Sequence, residues 1–379
     1  MQLGRLYFSI ALIFSAVHGL PTLPASRGIL DDVGILDDIF VFDAPAYPDP
    51  ANPGNTLIDL QSFVSLRQID LGGLTAALSA VLSTLGVNVG DQINNLRERI
   101  KLIGAIGLPG KSTTVTVVGC SSTAQTGETS GSDLGMSLNA GVSLGTCGAG
   151  KELESTAKLG GFFNGRTVKA SVFSSPDSGF GVISDIDDTV KISNTLDKLA
   201  LLKSTLLEEP KPVPGMPELY TSLSKSLYDP QFVYITASPF QIYPFLNEFL
   251  DTTYSTAKGP IFASNLTIVD PSEIIQFITS SNTEAFKLSS IDRVKGMYPN
   301  KKWLAIGDST QKDPEVYAQS IRKYGDSIVC AWIRRVEGAN NTDERFAAAF
   351  SGIPASRFRI YTDADIAGLA SINVAGGEC

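Results

Sequence analysis

The chain has 379 residues, 43% hydrophobic and 18% charged, with a formal net charge of −9. That length is too great for one ordinary core and predicts two domains, while the composition excludes a disordered chain. The acidic balance leaves no basic stripe for a nucleic acid and no general attraction to an anionic membrane.

At the N-terminus, Arg5 precedes an apolar run from Leu6 to Val17, with small or neutral residues near Gly19. The pattern predicts a secretory signal peptide over 1–19, since the run is too short to span a bilayer. No later stretch is long and apolar enough to span. The expectation is a soluble protein, secreted or held in the secretory pathway or vacuole. The chain's one histidine, His18, lies inside this signal. A mature protein without histidine excludes Ser-His-Asp and Cys-His catalysis and histidine-ligated metals. Its chemistry must then run on carboxylates, hydroxyls, lysines, arginines and a hard metal ion.

Residues 20–55 are rich in Pro, Asp and Gly and read as a loosely ordered lead-in, with "IFVFDAP" as one strand. An N-terminal domain is expected over 56–175. It begins with two helical patterns: Leu74, Leu78, Val81, Leu82 and Leu85 share one face, and Ile93, Leu96, Ile100 and Ile103 another. Arg97, Arg99 and Lys101 give the second helix a short basic edge, so these helices are expected to cover a core rather than contact lipid. The segments "STTVTVV", "LGMSLNAGVSLG" and "TVKASVF" alternate between glycines and serines, and predict antiparallel strands in a small sandwich. Cys120 and Cys147 flank one Gly/Ser/Thr-rich stretch and are the expected disulfide. Cys330, in the apolar run "SIVCAWI", is expected as a buried free thiol. Asn265 and Asn340 begin glycosylation tripeptides.

The turn-rich "SSPDSG" at 174–179 marks a domain boundary. Strand and helix then alternate, the signature of an α/β domain with a parallel sheet and covering helices, expected over 176–365. The end, 366–379, reads as a loose tail.

Four pieces in this second domain point to one chemistry. "GVIS" is a buried strand that runs into Asp185, Asp187, Asp188 and Thr189, and ligands bind at the carboxyl ends of such strands. "FVYI" is a second strand, ending in Thr236 and Ser238, with Pro239 opening a helix. Ser238 is either a helix cap or a phosphate contact, while Thr236 offers a hydroxyl to a phosphoryl oxygen. Lys287 stands on a helical stretch, with Lys295 as the alternative. "WLAI" is a third strand, ending in Gly307-Asp308, with Asp313 five residues on as both a helix start and a second acid.

Crowded carboxylates need a cation among them. Asp185 and Asp308, with Asp313 and the backbone carbonyl of Asp187, form a hard-oxygen set suited to Mg²⁺. The cation lets Asp185 stay ionised as a nucleophile. Asp187 protonates a leaving oxygen and then activates water. Thr236 and Lys287 balance the transferring phosphoryl group, and Thr189 orients the first loop.

This order of D-x-D-x-T, strand-end Thr, Lys and GD-x4-D resembles the haloacid-dehalogenase-like phosphatases. The strings "GVISDIDDTVKIS", "YITASPFQIYP" and "IGDSTQKDPEVYA" resemble the catalytic domain of the actin-patch phosphatidate phosphatase family over about 176–336. The resemblance implies a Rossmann-like sheet and Mg²⁺-dependent conversion of phosphatidate to diacylglycerol and phosphate. It also implies a phospholipid partner and contact with a membrane surface. Many relatives have Ser-Asn-Ser-Pro-Trp where this chain has Thr236 to Phe240, which leaves the roles of Thr236 and Ser238 interchangeable. The stretches between Thr189, Thr236 and Lys287 hold no large lid, so an open site is expected. A soluble phosphomonoester or phosphoprotein is the alternative substrate, and a non-catalytic binding protein is the alternative from another class.

Overall fold

The computed structural model describes residues 37–66, 71–131, 135–160, 166–265 and 283–379. The expected signal peptide and residues 20–36 lie outside the described residues. No described helix is long and apolar enough to cross a membrane.

The first half forms one eight-stranded sheet. Its strands are β1 (Asp37–Val41), β2 (Ala44–Pro48), β3 (Thr56–Leu66), β4 (Thr113–Val117), β5 (Ala124–Gln125), β6 (Met136–Gly145), β7 (Glu152–Leu159) and β8 (Thr167–Ser174). Pairing is antiparallel except between β2 and β8. The sheet curls on itself. Beside β5, Ser122 N donates to Leu144 O at 3.0 Å and Ser121 N to Thr146 O at 2.9 Å, which ties the last strand back to β6. Inward residues such as Ile58, Leu60, Val115, Leu144 and Val172 fill the interior.

This corrects three expectations. The sheet is a single curled one rather than a sandwich of two. The lead-in is not loose from residue 37 onward. "IFVFDAP" is two strands rather than one, broken at Phe42 and Asp43. Phe42 packs edge-on against Tyr243, with ring centroids 4.8 Å apart, and the Asp43 amide donates to Tyr243 OH at 3.0 Å. Alternation alone cannot say whether strands face a second sheet or close on themselves.

Helices α1 (Gly72–Thr84) and α2 (Ile93–Arg99) follow β3. Their apolar faces meet each other and α3 (Lys198–Leu206), which belongs to the second half of the chain.

The second sheet has six strands, all parallel, in the order β11-β10-β9-β12-β13-β14. These are β9 (Phe180–Ser184), β10 (Gln231–Pro239), β11 (Ile261–Ser264), β12 (Lys302–Asp308), β13 (Ile328–Arg334) and β14 (Phe358–Tyr361). Besides α3, the described helices between them are α4 (Met216–Ser226), α5 (Tyr243–Thr253), α6 (Thr283–Met297), α7 (Asp313–Tyr324) and α8 (Asp343–Ala349), and α9 (Ile366–Leu369) follows β14. Apolar clusters lie on both sides of the sheet, which is why its strands read as continuous hydrophobic runs. From β9 the chain builds outward to β10 and β11, then crosses back to β12 on the other side. The reversal leaves a crevice at the carboxyl end of β9.

The two sheets are joined by specific bonds. Arg293 Nε donates to buried Asp59 at 2.7 Å, and Tyr298 OH donates to Ala46 O at 3.1 Å.

The C-terminus is packed, not loose. Val374 is buried, and Cys379 is bonded to Cys330. Cys330 is therefore not a free thiol. Its partner lies 49 residues away, beyond the reach of any local pattern. Cys120 and Cys147 are bonded to each other.

Candidate active site

β9 delivers Asp185 into the crevice, where its amide donates to Ile306 O of β12 at 2.9 Å. The next residues coil tightly: the amides of Val190 and Lys191 both reach Ile186 O at 3.0 Å. Asp188 makes the turn with a left-handed φ of 58°, a region that Asp tolerates better than most residues. Its carboxylate accepts from the amides of Ser193, Asn194 and Thr195 and from the Thr195 hydroxyl, at 2.7 to 2.8 Å. The third acid of the cluster is therefore spent on folding the loop.

β12 delivers Asp308, and α7 begins with Asp313. Asp313 Oδ2 accepts from Asp308 N at 3.1 Å. The approach requires glycine at 307, where a Cβ would stand 2.4 Å from Asp313 Oδ2. The carboxylates of Asp185, Asp308 and Asp313 converge, with ligand atoms all within 4.8 Å of one another, and all three are buried. Thr189 Oγ1 bridges two of them, at 3.0 Å from Asp185 Oδ2 and 3.2 Å from Asp308 Oδ2. Lys287, on α6, donates to Asp185 Oδ1 at 2.8 Å and to Asp313 Oδ1 at 2.5 Å.

Asp187 faces the other way. Its Oδ2 accepts from Thr236 Oγ1 at 2.8 Å and from Ser238 Oγ at 2.9 Å. Its Oδ1 accepts from Ser193 Oγ at 2.6 Å, with Lys191 Nζ at 3.4 Å. Its carboxylate thus stands apart from the other three. Thr236 and Ser238, whose roles the sequence left interchangeable, both donate to this one carboxylate oxygen. Ser238 N donates to Thr236 Oγ1 at 3.0 Å, so the two hydroxyls form one unit.

Burial pushes Asp185 well above the usual carboxylate range despite Lys287, and Asp313 and Asp308 add to the rise. Burial and Asp313 push Asp308 up to about 7. Asp187 moves the opposite way. Burial opposes its charge, but Lys191 and the hydroxyls of Ser193, Thr236 and Ser238 outweigh burial and hold it below the usual range. Lys287 is held above its ordinary value because Asp185, Asp313 and Asp308 outweigh its own burial.

A hard divalent cation fits this donor set. Three buried carboxylates share one lysine, which leaves uncompensated negative charge. The buried Thr310 Oγ1, two residues past Asp308, finds no partner among the described residues.

Lys295 is not in the site. Its ammonium bonds to Pro299 O and Ser327 Oγ at the far end of α6, since eight helical residues advance the chain roughly 12 Å. Lys191, Ser193 and Arg334 are site residues that the motifs did not single out. Arg334 donates to Asp188 O at 2.7 Å and pairs with Asp363. Asn265 and Asn340 are both exposed.

Residues 180–335 match the family model described as the catalytic domain of phosphatidate phosphatase APP1. This segment, less than half of the chain, is similar to that catalytic domain. Phosphatidate phosphatase APP1 of Saccharomyces cerevisiae is 27% identical over 159 residues, which are 41% of this chain and 26% of that protein. An uncharacterized protein of Schizosaccharomyces pombe is 23% identical over 165 residues, 42% of this chain and 26% of that one. The matched segment thus spans about a quarter of each curated relative. Among solved structures, a β-glucuronidase of Parabacteroides merdae covers 79% of this chain and 40% of its own, at 6% identity and a TM-score of 0.27, too low to carry an argument.

Proposed function

We propose that residues 180–335 carry a Mg²⁺-dependent phosphatase that converts phosphatidate to diacylglycerol and phosphate through an aspartyl-phosphate on Asp185. The observation that carries this reading is the meeting of Asp185, Asp308, Asp313 and Lys287 at the carboxyl ends of adjacent parallel strands. The strand order, with β9 central and the reversal beside it, supports a haloacid-dehalogenase-like Rossmann arrangement.

Asp185, Asp308 and Asp313 would hold the cation, which supplies charge neutralisation to the phosphoryl oxygens. Asp185 attacks phosphorus, and the P–O bond to the leaving alkoxide breaks. Asp187 acquires a proton from solvent as the entering phosphomonoester dianion raises its proton affinity, and gives that proton to the alkoxide. Asp187 then takes a proton from water, the water oxygen attacks phosphorus, and the Asp185–phosphorus bond breaks to release phosphate. Lys287 holds Asp185 in place and offsets its charge. Thr236 and Ser238 orient Asp187 and stand beside the phosphoryl position.

We place the N-terminal unit over residues 56–175 together with the strands from residue 37, and the catalytic unit from 176 onward. Two disulfides and two exposed sequon asparagines support a secretory route.

The test is phosphate release by the purified protein from phosphatidate and from a small chromogenic phosphomonoester, with Mg²⁺ or a chelator. Mg²⁺-dependent release from phosphatidate supports the reading. Release from the small ester alone moves the substrate to a soluble phosphomonoester. No release from either ester contradicts phosphatase activity.

A further inference from the structure

Asp59, on β3 of the N-terminal sheet, is buried and holds α6 of the second half of the chain. Two residues of β6, Ala140 and Gly141, stand opposite Asp59 alone, since Ile58 pairs with Val142 and Leu60 with Asn139. This bulge turns the Gly141 amide onto Asp59 Oδ1 at 2.9 Å, where Tyr47 OH also donates at 2.7 Å. Asp59 Oδ2 accepts from Arg293 Nε at 2.7 Å, and Arg293 is the one cation paired with Asp59 among the described residues. Without α6, a buried carboxylate would lose its counter-charge.

Arg293 and Lys287 stand on the same helix. Six helical residues separate them by about 9 Å along the axis and about a third of a turn around it. Lys287 Nζ must meet Asp185 Oδ1 and Asp313 Oδ1 at once. A second tie, at another height and on another side of α6, fixes both the rotation and the slide of the helix. Arg293 is itself held, with its guanidinium 4.4 Å from the ring centroid of Phe262 on β11. Asp292 accepts from Lys323 and Tyr324 of α7, so α7 shares in this support.

We infer that Asp59 is a positioning residue for the phosphatase site: through Arg293 it sets where α6 holds Lys287, and so where Lys287 holds Asp185. The inference rests on the phosphatase reading above. It makes the N-terminal sheet a working part of a site whose reacting groups all lie within residues 180–335. A misplacement of about 1 Å, caused far from the chemistry, can cost about 100-fold in rate.

The experiment measures kcat with Mg²⁺ on phosphatidate and on a small chromogenic phosphomonoester, for Asp59→Asn, Lys287→Met and the two together, each checked for folding by circular dichroism. Asp59→Asn should lower kcat by about tenfold on every ester the native chain hydrolyses. In the Lys287→Met background, read over hours because turnover is slow, the same substitution should change kcat by less than about twofold, since the side chain it acts through is gone. An equal loss in both backgrounds marks a merely structural role and overturns the inference. A folded Asp59→Asn with native kcat overturns it too. The double variant Asp59→Asn/Arg293→Met leaves neither charge unpaired and replaces Asp59→Asn throughout if that variant misfolds, with the same outcomes expected. These results bear on the inference alone, whereas silence of the native chain toward both esters contradicts the phosphatase reading and the inference with it.

Discussion

Lys287 Nζ donates to Asp185 Oδ1 at 2.8 Å across 102 positions of sequence, and both side chains are almost wholly buried. The same ammonium holds Asp313. Replacing it with an apolar side chain leaves three buried carboxylates without their one protein cation. Lys287→Met should destabilise the metal-free protein by about 3–5 kcal/mol, the usual cost of breaking a buried pair. It should also lower kcat by about 100-fold or more. Thermal melting with and without Mg²⁺ checks this: the loss should be largest in chelator. A melting temperature and kcat equal to the native values would contradict the role.

The acid cluster makes a signed prediction about pH. Asp308, raised to about 7, and Asp185, raised by burial, still hold protons in the fold where the unfolded chain has lost them. The folded state binds more protons between about pH 4 and 7, so metal-free stability falls as pH rises through that window. Mg²⁺ takes the place of those protons. The increase in Tm on adding Mg²⁺ should therefore be larger above pH 7 than near pH 5. An increment that does not change with pH would contradict the assignment.

Thr236 and Ser238 test the second acid. Each donates to Asp187 Oδ2, and a hydrogen bond to a charged group is worth about 1.5–3 kcal/mol. Thr236→Val removes a donor and the acceptor of Ser238 N, whereas Ser238→Ala removes only a donor. The threonine variant should lose more activity, and the pH–rate profile of both should shift upward on its acid side, because Asp187 loses anion stabilisation. Equal profiles for both variants and the native chain would contradict this.

Much of the site was legible because its motifs end strands. Asp185, Asp308 and Thr236 each close a buried apolar run, and parallel strands bring such ends together. Asp313 was legible from its spacing to Asp308. Lys191 was not, since a lysine in a loop carries no signal until Phe245 and Asp187 close around it. Asp188 was the opposite case. It reads as part of an acid cluster, yet its side chain holds the amides of residues 193–195. The curled sheet was half legible: alternation gave strands, but closure depends on Ser121 and Ser122 pairing with β6, a relation between distant segments.

Cys379 gives a stability prediction that was also hidden in sequence. Its bond to Cys330 closes a loop of 49 residues and ties the C-terminal segment to β13. Cys379→Ser should cost about 2–4 kcal/mol, read as a lower midpoint in denaturant with little change in slope. An unchanged midpoint would mean that the C-terminal segment holds without the bond.

The central claim is that Asp185 bonds covalently to phosphorus. Acid quenching during turnover, reduction with borohydride and peptide mass spectrometry test it directly, because reduction converts an aspartyl-phosphate to homoserine. The account predicts homoserine at position 185 alone, only with substrate and Mg²⁺, and none at position 187. Phosphate release with Asp185 left intact, or conversion at Asp187, would contradict it.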